Sequence, residues 1–275
     1  MSLVRRWWVD AAAMLVAAVV FLVPFVFIVL TAGKDQAEAS LLDFTWPTEW
    51  HLWDNLREVL TARDGIVLTS LKNSFILTIA SVALIVVVCS MVAFVQQRRR
   101  DRMSTAVGIV MLAGLIIPPA VVPTIFVLQA LGLFKTLVGL ILIELAFLMP
   151  FSVIVLRAFI GTIPREIDEA AIVDGASPRT LFFRVIFPLI RPAVISVIVV
   201  SAVLIYTDFV NPLYFLPGDE NATVQLTLFN FQSQFLTQWN LLFMHLLLTT
   251  IPLVIMFIFF SRKIVSGLAA GAVKG

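Results

Sequence analysis

Three ionisable side chains stand inside long apolar stretches of the sequence and are its first candidates for chemistry: Glu144, Asp208 and His245. A carboxylate at the centre of a bilayer costs about 2.5–3.5 kcal/mol on insertion scales, so such a group normally faces a bundle interior or a cavity. Asn211 follows Asp208 by three residues, and on one helix the two would share nearly the same face. A carboxylate beside an amide can bind hydroxyl groups, and it suits a contact between subunits equally well.

The sequence lacks the motifs of covalent chemistry. It contains no glycine-rich nucleotide loop, no zinc-type Cys/His cluster and no serine-nucleophile elbow. Its single cysteine, Cys89, lies in an apolar stretch, so we expect a buried, unreactive thiol and no intrachain disulfide. His245 has no second metal ligand at helical spacing, which favours a packing or interface role. We therefore expect a non-enzymatic chain without a cofactor or metal of its own, which draws energy from another chain or an ion gradient.

The composition is that of an integral membrane protein. Hydrophobic residues make up 61% of the 275 positions and charged residues only 13%, which excludes an ordinary water-soluble protein. The net charge of +2 is too small to indicate nucleic-acid binding. Membrane lipid is therefore an expected partner, and nucleic acid is not.

Six apolar stretches reach the roughly 20 residues that a membrane-spanning helix needs. We place the spans at Ala11–Ala32, Asn73–Val95, Thr105–Gln129, Thr136–Leu156, Leu189–Leu216 and Leu241–Phe260. They predict an all-α membrane protein with six transmembrane helices. Arg5 and Arg6 precede the first stretch as in a signal peptide, but this stretch is longer than a signal core and five more follow, so we interpret it as an uncleaved span.

The positions of Lys and Arg predict the orientation. With the N-terminus inside, fourteen of these residues fall in cytoplasmic segments and five in outer segments, which is a positive-inside bias. Both termini and the segment between the fourth and fifth spans are then cytoplasmic. We divide the chain into residues 1–72, the first span with a large outer loop, and residues 73–275, a core of five spans.

The outer loop between the first two spans predicts a short amphipathic helix on the membrane surface. Its apolar face would consist of Trp46, Trp50, Trp53, Leu52, Leu56 and Leu60. Anchoring at the lipid interface and contact with a docking protein or partner subunit both stay open for it. The second sizeable outer segment, Pro217 to Asn240, is interpreted as a polar and aromatic loop.

Prolines inside the spans are densest at Pro118, Pro119 and Pro123. Each removes a backbone N–H and tends to bend a helix, which membranes tolerate when neighbouring groups pair the freed carbonyls. This cluster indicates either simple packing curvature or a bent helix that lines a pathway.

The longest polar interruption in the C-terminal half, Arg157 to Pro192, has the marks of two short helices joined by a tight turn. Pro164 fits the first turn of a helix, where a missing N–H is harmless. Three acids then suit the positive end of the helix dipole: Glu166, Asp168 and Glu169. Gly175 predicts a left-handed helix end, and Ser177-Pro178 predicts a new cap and first residue. The segment therefore predicts a short rigid projection that a partner can hold.

This segment resembles the EAA loop of ABC-importer permeases. The resemblance rests on Glu169-Ala170-Ala171, then Gly175, then Val185-x-Phe187-Pro188, with Val185 and Phe187 where the family usually has Ile and Leu. The flanks are similar to the carbohydrate subgroup: Leu156-Arg157-x-Phe159 before the loop, and a tail from Val265 to Gly275 that is similar to maltose-type permeases of the G kind. The resemblance runs from about Asn73 to the C-terminus.

The resemblance implies the type I ABC-importer permease fold and half of a translocation pathway for a carbohydrate or related polyol. It implies coupling to a separate ATPase through a cytoplasmic helix, with roles for Glu169, Ala170, Ala171, Asp174, Gly175 and Pro188. The implied partners are a second, F-like permease, two ATP-binding subunits that hold ATP and Mg, and an extracytoplasmic substrate-binding protein. The implied location is a bacterial or archaeal plasma membrane.

The intramembrane polar residues keep more than one interpretation. Tyr206-Thr207-Asp208-Phe209 resembles the Trp-Asn-acidic-Phe stretch of sugar permeases, and Glu144 stands where the family usually carries an aromatic residue. Glu144, Asp208 and Asn211 are therefore candidates for either the pathway or the subunit interface. A proton-coupled secondary transporter using Glu144 and Asp208 is the alternative function, against which count the missing internal repeat and the missing intramembrane basic partner. The lone His245 disfavours an intramembrane hydrolase.

Overall fold

The computed structural model describes the backbone of residues 3–99, 101–234 and 238–272, and the side-chain surroundings of residues 12–99, 101–229 and 238–259. Within these ranges the chain is α-helical and contains no β-strand, so the predicted all-α fold is confirmed. The predicted tail motif begins at Val265, beyond the described side chains, and its last three residues lie outside the described backbone.

The α-helices are numbered along the described chain. They are α1 (Leu3–Gly33), α2 (Gln36–Ser40), α3 (Leu52–Thr61), α4 (Ile66–Arg98), α5 (Arg102–Ile116), α6 (Val121–Ala130), α7 (Leu137–Ile160), α8 (Glu166–Val173), α9 (Pro178–Thr180), α10 (Phe187–Leu189), α11 (Arg191–Thr207), α12 (Val210–Phe215), α13 (Val224–Gln234) and α14 (Trp239–Ala272). A 3₁₀ turn (Ala62–Gly65) joins α3 to α4, and a π-helical turn (Leu181–Ile186) joins α9 to α10.

Four helical segments among the described residues are long and apolar enough to cross a membrane: Ala12–Gly33, Leu52–Arg98, Leu137–Ile160 and Trp239–Phe259. Two bent helix pairs also pass this test, namely α5 with α6 and the stretch from α9 to α10 with α11. When each bent pair counts as one span the total is six, which is the number that the sequence predicts.

The third predicted span, Thr105–Gln129, is wrong as a single helix. The chain bends by 119° between the end of α5 and the start of α6. The cause is local, because a proline disfavours helical backbone at the residue before it. Ile117, which precedes Pro118, is extended with φ −75° and ψ 125°. The consecutive prolines therefore break the span instead of curving it.

The fifth predicted span, Leu189–Leu216, is also interrupted. A bend of 76° separates the α9–α10 stretch from α11. A second break follows Thr207, where α11 ends, and α12 begins at Val210. Asp208 lies in this break with extended backbone, φ −69° and ψ 125°. Asp208 therefore follows the end of a helix, whereas the sequence places it in the middle of one.

The chain divides into two compact units, of which the first contains Met1–Leu68 and Leu226–Pro252. Two buried asparagines join its helices. Asn55 of α3 donates from Nδ2 to two carbonyl oxygens at and just after the end of α1, at 2.8 and 2.9 Å. Asn240 of α14 donates to Asn55 Oδ1 at 2.8 Å. Because a buried polar group is costly unless it is hydrogen-bonded, these contacts fix the position of α3 against α1 and α14.

Lys34 is almost fully buried directly after α1, although lysine is rarely buried without partners. Its ammonium group donates to Asp43 Oδ1 at 2.6 Å, to the Asp43 carbonyl at 3.0 Å and to Thr45 Oγ1 at 3.0 Å. The hydrogen bonds from Lys34 and Thr45 lower the pKa of the Asp43 carboxyl below its ordinary value. These bonds fasten the outer loop to the end of the first span.

The predicted amphipathic helix of the outer loop corresponds to α3, but its face is different. Trp46 and Trp50 precede the helix, and Trp46 and Trp53 expose 76% and 80% of their surface. Asn55 and Val59 are the buried residues of α3. The leucines of the predicted face are half-buried: Leu52, Leu56 and Leu60. The buried face is therefore set by an asparagine and a valine that flank the predicted stripe.

The second unit contains Thr69–Gln225 and Leu253–Gly275. Its core is a cluster of aliphatic side chains drawn mainly from α4, α7 and α11, including Ile85, Leu156 and Val197. Because α4, α7 and α11 share this core, they form the frame on which both candidate sites are built.

The segment after α12 is also held by the second unit. Ser74 Oγ accepts the Val224 N–H at 2.9 Å, and Asn73 Nδ2 lies 3.2 Å from the Ala222 carbonyl. The prediction of a loop from Pro217 to Asn240 is wrong in part, because α13 (Val224–Gln234) occupies the middle of this segment.

Candidate functional site

The first candidate site is the projection formed by α8 and the turn after it. Arg165 is the N-cap residue of α8, so Pro164 lies before the helix and not in its first turn as predicted. Glu166, Asp168 and Glu169 do occupy the first turn. Negative charge is favourable there because the unpaired N–H groups carry the positive end of the helix dipole.

Gly175 ends α8 in the left-handed conformation that the sequence predicts, with φ +81°. The Ala176 N–H donates to the Ala171 carbonyl and the Gly175 N–H to the Ile172 carbonyl, both at 2.9 Å. These two bonds form a Schellman motif, which pairs the last carbonyls of a helix. A Cβ on Gly175 would meet no atom within 4 Å, so the need for glycine comes from the backbone conformation and not from close packing.

The next helix starts as predicted. Ser177 Oγ accepts the Thr180 N–H at 3.3 Å, and Pro178 occupies the first turn. In the π-helical turn that follows, the Phe187 N–H donates to the Phe182 carbonyl, five residues earlier. Pro188 has no N–H and so removes one bond of the α-helical ladder directly after this turn.

An ion pair joins α8 to the end of α4. Arg98 donates to both carboxylate oxygens of Asp168, from Nε at 2.6 Å and from Nη2 at 3.1 Å, and its guanidinium also contacts the Ile163 carbonyl at 3.3 Å. Two parallel bonds to one carboxylate fix orientation as well as distance. The sequence alone assigns Asp168 to the helix dipole and Arg98 to membrane orientation, because no local pattern links residues 70 positions apart.

The other side of α8 is exposed and partly apolar. Ile172 and Val173 expose 58% and 86% of their surface, whereas Ile167 and Ala171 pack against the core of the second unit. Of the six residues with an implied coupling role, four are exposed: Glu169, Ala170, Asp174 and Gly175. Ala171 of α8 and Pro188 of α10 are half-buried. The projection thus presents a surface of mixed charge and apolar character on a fixed base.

The second candidate site is a cavity of about 290 Å³ that Glu144, Asp208 and Asn211 line together. The structure therefore brings together three residues that the sequence singles out. Glu144 of α7 is only 3% exposed, and its Oε1 accepts a hydrogen bond from Asn211 Nδ2 of α12 at 3.3 Å. Pro119, from the break between α5 and α6, lines the same cavity, so the proline cluster bends the chain at this site.

Asp208 and Asn211 do not share one helical face, because the chain leaves the helix between them. Asp208 Oδ1 instead accepts the Val210 N–H at 2.9 Å and the Asn211 N–H at 3.3 Å. These N–H groups begin α12 and have no partner inside the helix. Asp208 therefore caps α12, a role that the sequence analysis missed although an Asp followed by a proline-containing turn is a common capping signal.

The remaining described residues around the cavity are apolar or aromatic, and none of them is a lysine or arginine: Phe147, Leu148, Leu204 and Val210 with Pro119. Two carboxyl groups and one amide in such a setting can accept hydrogen bonds from hydroxyl groups or attract a cation, and they repel an anion.

The other candidate residues do not line this cavity. His245 and Cys89 are both fully buried. Within the part of the chain that the structure describes, no group of three or more His, Cys, Asp or Glu residues is arranged to hold a metal ion.

Comparison with known proteins identifies the family. The family described as "Binding-protein-dependent transport system inner membrane component" matches residues 85–268. The ABC transporter permease protein ORF2 of Caldicellulosiruptor sp. strain Rt8B.4 is 32% identical over 255 residues, which is 92% of this chain and 92% of that protein. The melibiose/raffinose/stachyose import permease protein MelC of Bacillus subtilis strain 168 is 28% identical, covering 94% of each chain.

A solved structure shares the fold. It is a bacterial ABC transporter involved in the import of the acidic polysaccharide alginate, and one of its chains matches with a TM-score of 0.81 at 19% identity, over 95% of this chain and 98% of that one. This likeness supports the predicted ABC-importer permease fold. Together with the family match, it leads to one conclusion: the chain belongs to the binding-protein-dependent transport system inner membrane components, the non-catalytic permease subunits of ABC transporters.

Proposed function

We propose that this chain is the permease subunit of an ABC importer for a carbohydrate or related polyol, and that it forms half of the translocation pathway. Similar proteins are named for such cargo: MelC for melibiose, raffinose and stachyose, NgcG of Streptomyces coelicolor for diacetylchitobiose, and AmyC of Thermoanaerobacterium thermosulfurigenes for starch degradation products. The cavity at Glu144 and Asn211 fits this cargo, because carboxyl and amide groups bind hydroxyl groups.

The chain couples to a separate ATPase through α8. The observation that carries this part of the proposal is the geometry of the projection, which is exposed on one side and fixed by the Arg98–Asp168 ion pair on the other. A partner that binds the exposed side moves α8 as a rigid body, and the ion pair passes the motion to α4. ATP and Mg are held by two partner ATP-binding subunits, and this chain contributes no covalent chemistry.

Two further partners complete the importer. A second, F-like permease forms the other half of the pathway, and an extracytoplasmic substrate-binding protein delivers the cargo. A chain of the bacterial alginate ABC transporter solved in complex with an alginate pentasaccharide-bound periplasmic protein supports this arrangement, with a TM-score of 0.67 and 15% identity over 95% of this chain. The location is a bacterial or archaeal plasma membrane, with both termini in the cytoplasm.

A proton-coupled secondary transporter that uses Glu144 and Asp208 is not favoured. The family match assigns the chain to transporters that work with a binding protein. Each carboxyl also has a structural partner, since Glu144 accepts from Asn211 and Asp208 caps α12.

The substitution Gly175→Val tests the coupling role. A non-glycine residue in the left-handed conformation costs about 1–2 kcal/mol, which corresponds to about a 5–30-fold weaker association with the ATPase if the projection must keep its shape. We expect normal amounts of the chain in the membrane, but reduced co-purification with the ATPase and reduced uptake of labelled sugar into proteoliposomes.

Gly175→Asn is the matched control, because asparagine tolerates the left-handed conformation better than other side chains. It should retain most of the association and uptake. Wild-type co-purification and uptake in Gly175→Val would contradict the coupling role. A parallel loss of membrane abundance would instead indicate a folding defect.

A further inference from the structure

The ends of α4, α5 and α7 enclose a crevice of about 650 Å³ that neither candidate site uses. It opens at the junction of α4 and α5, beside a smaller cavity of about 250 Å³ that shares Gln96, Arg99 and Ser104 with it. The crevice lies at the same end of these helices as α8, where the apolar part of the spans gives way to arginine-rich turns. Its position is therefore that of a membrane boundary.

Two arginines give the crevice a positive lining. Arg157 donates from Nε to Gln97 Oε1 at 3.2 Å, and no carboxylate within ion-pair distance is found for it among the described residues. Arg99 lies 3.5 Å from Asp101 Oδ2, a long contact on an exposed surface. The Arg157 guanidinium reaches α5 at Gly108, where a Cβ would lie at an ordinary contact distance of 3.6 Å from Nη1. At least one guanidinium is thus available to an anion.

A buried amide points to a missing ligand at the same place. Gln96 is only 5% exposed, it lines both cavities, and its Nε2 is buried without a hydrogen-bond partner in the described structure. An unpaired buried donor is costly, so native structures normally supply it with an acceptor. The hydroxyl groups of Ser104 and Thr105 lie in the same lining, but they already donate to the Gln96 and Asp101 carbonyls, at 3.3 and 3.2 Å. The donors left for a ligand are therefore the Gln96 amide and the guanidinium groups, which suit a phosphate.

Asp101 also lines the smaller cavity, where it lies beside Arg99, and Gln97 lines the larger one beside Arg157. The apolar walls consist of Ile109, Met111, Leu112 and Ile154 in the larger cavity, and of Met91, Val92, Val95, Met103 and Val107 in the smaller one. A small soluble anion would make no favourable contact with these apolar side chains. A ligand with a phosphate head group and a hydrocarbon tail would contact both the polar and the apolar parts of the crevice. Basic pockets between spans at the membrane surface bind the head groups of anionic lipids in this way.

We propose that this crevice is a binding site for an anionic phospholipid, with the phosphate held by Arg157, Arg99 and Gln96 and an acyl chain against the apolar walls. The bound lipid fills the space between α4, α5 and α7 next to the base of α8. This proposal depends neither on the sugar cargo nor on coupling to the ATPase. A negative result for lipid binding would therefore leave the proposed function untouched.

The test is lipid-dependent stabilisation of the full-length chain, purified in detergent with the subunits that accompany it. Phosphatidylglycerol is added as the probe, with phosphatidylcholine and inorganic phosphate as comparisons, and both the thermal unfolding midpoint and the retained lipid (by native mass spectrometry) are measured. We expect phosphatidylglycerol alone to raise the midpoint. Arg157→Gln and Arg99→Gln should each weaken its binding about five-fold, since one basic residue near a membrane surface contributes that much.

Two further variants separate this site from general surface charge. Arg102→Gln removes a neighbouring exposed arginine that lines neither cavity, and it should leave phosphatidylglycerol binding unchanged. Gly108→Leu keeps all charges but fills the crevice, and it should abolish the stabilisation while the lipid-free midpoint stays near that of the wild type. Equal weakening in Arg102→Gln, or equal stabilisation by phosphatidylcholine, would overturn the proposal. Full stabilisation by inorganic phosphate would overturn the lipid source and assign the site to a soluble anion.

Discussion

The two carboxyl oxygens of Asp208 have different surroundings. Oδ1 accepts the two N–H groups that begin α12, whereas Oδ2 is buried and lies apart from these contacts. Capping needs only an oxygen acceptor, which Asp and Asn supply equally well. The carboxyl group is a separate property, because Asp208 also lines the cavity that it shares with Glu144. Capping and charge can therefore be separated by substitution.

We expect Asp208→Asn to leave complex yield unchanged and to lower the apparent affinity of sugar uptake into proteoliposomes. The asparagine Oδ1 accepts the same N–H groups, but the cavity loses a negative charge that polarises hydroxyl groups of the cargo. Asp208→Ala is the matched variant, and it should also lose about 1 kcal/mol of stability with the cap. Unchanged affinity in Asp208→Asn, with easier separation of the two permeases in detergent, would assign the charge to the subunit interface.

At the scale of the element, α8 combines local sequence signals with one long-range contact. Its beginning and end follow from residues 164–178, where the acids, the left-handed glycine and the Ser-Pro cap act on neighbouring backbone. Its attachment to α4 depends on Arg98, which is 70 positions from Asp168. Local signals therefore make the helix, and the ion pair positions it.

The substitution Asp168→Asn should weaken coupling more than it weakens the helix. Removing one partner of a buried ion pair costs about 3–5 kcal/mol in fully buried cases, and this pair, with side chains 13% and 12% exposed, should lie at the lower end. We expect lower sugar uptake per ATP hydrolysed, with the ATPase still bound. Glu166→Gln removes an acid from the same helical turn without touching Arg98, so it controls for the helix dipole and should be nearly silent. If the two variants lowered sugar uptake per ATP equally, Asp168 would act only through the helix dipole and not through its ion pair with Arg98.

The same contrast explains which parts of the structure could be predicted. Gly175 and Ser177-Pro178 were predictable because turn chemistry acts over a few residues. Proline indicates that a helix bends but not by how much. The sequence therefore left packing curvature and a bent helix both open, and the structure has a break of 119° after α5. The cap at Asp208 was missed because the apolar residues on both sides of it predict one long span, in which the local capping signal was given no weight. The Arg98–Asp168 pair and the donor-rich crevice at Gln96 depend on how distant helices pack, which hydrophobic patterning does not encode residue by residue.

At the scale of the whole molecule, the basic residues mark one end of the spans. Arg98 ends α4, Arg99 follows it and Arg102 begins α5. Arg157 and Arg165 lie near the end of α7. In the first unit, Lys34 is buried and paired with Asp43, so its positive charge is compensated locally. The orientation stays a prediction from the distribution of Lys and Arg along the sequence.

The orientation can be tested by labelling single cysteines in intact cells with a membrane-impermeant maleimide. The native Cys89 is fully buried and gives a low background. Ser40→Cys and Glu220→Cys place an exposed thiol on the predicted outer side, and Ser177→Cys places one at the turn after α8. Glu220 is preferable to Gly218, because Gly218 has a φ of +118° that a cysteine would strain. We expect the two outer positions to react in intact cells and Ser177→Cys to react only after the membrane is opened. Labelling of Ser177→Cys in intact cells would place α8 outside the cell, where no ATPase could bind it, and would overturn both the orientation and the coupling role.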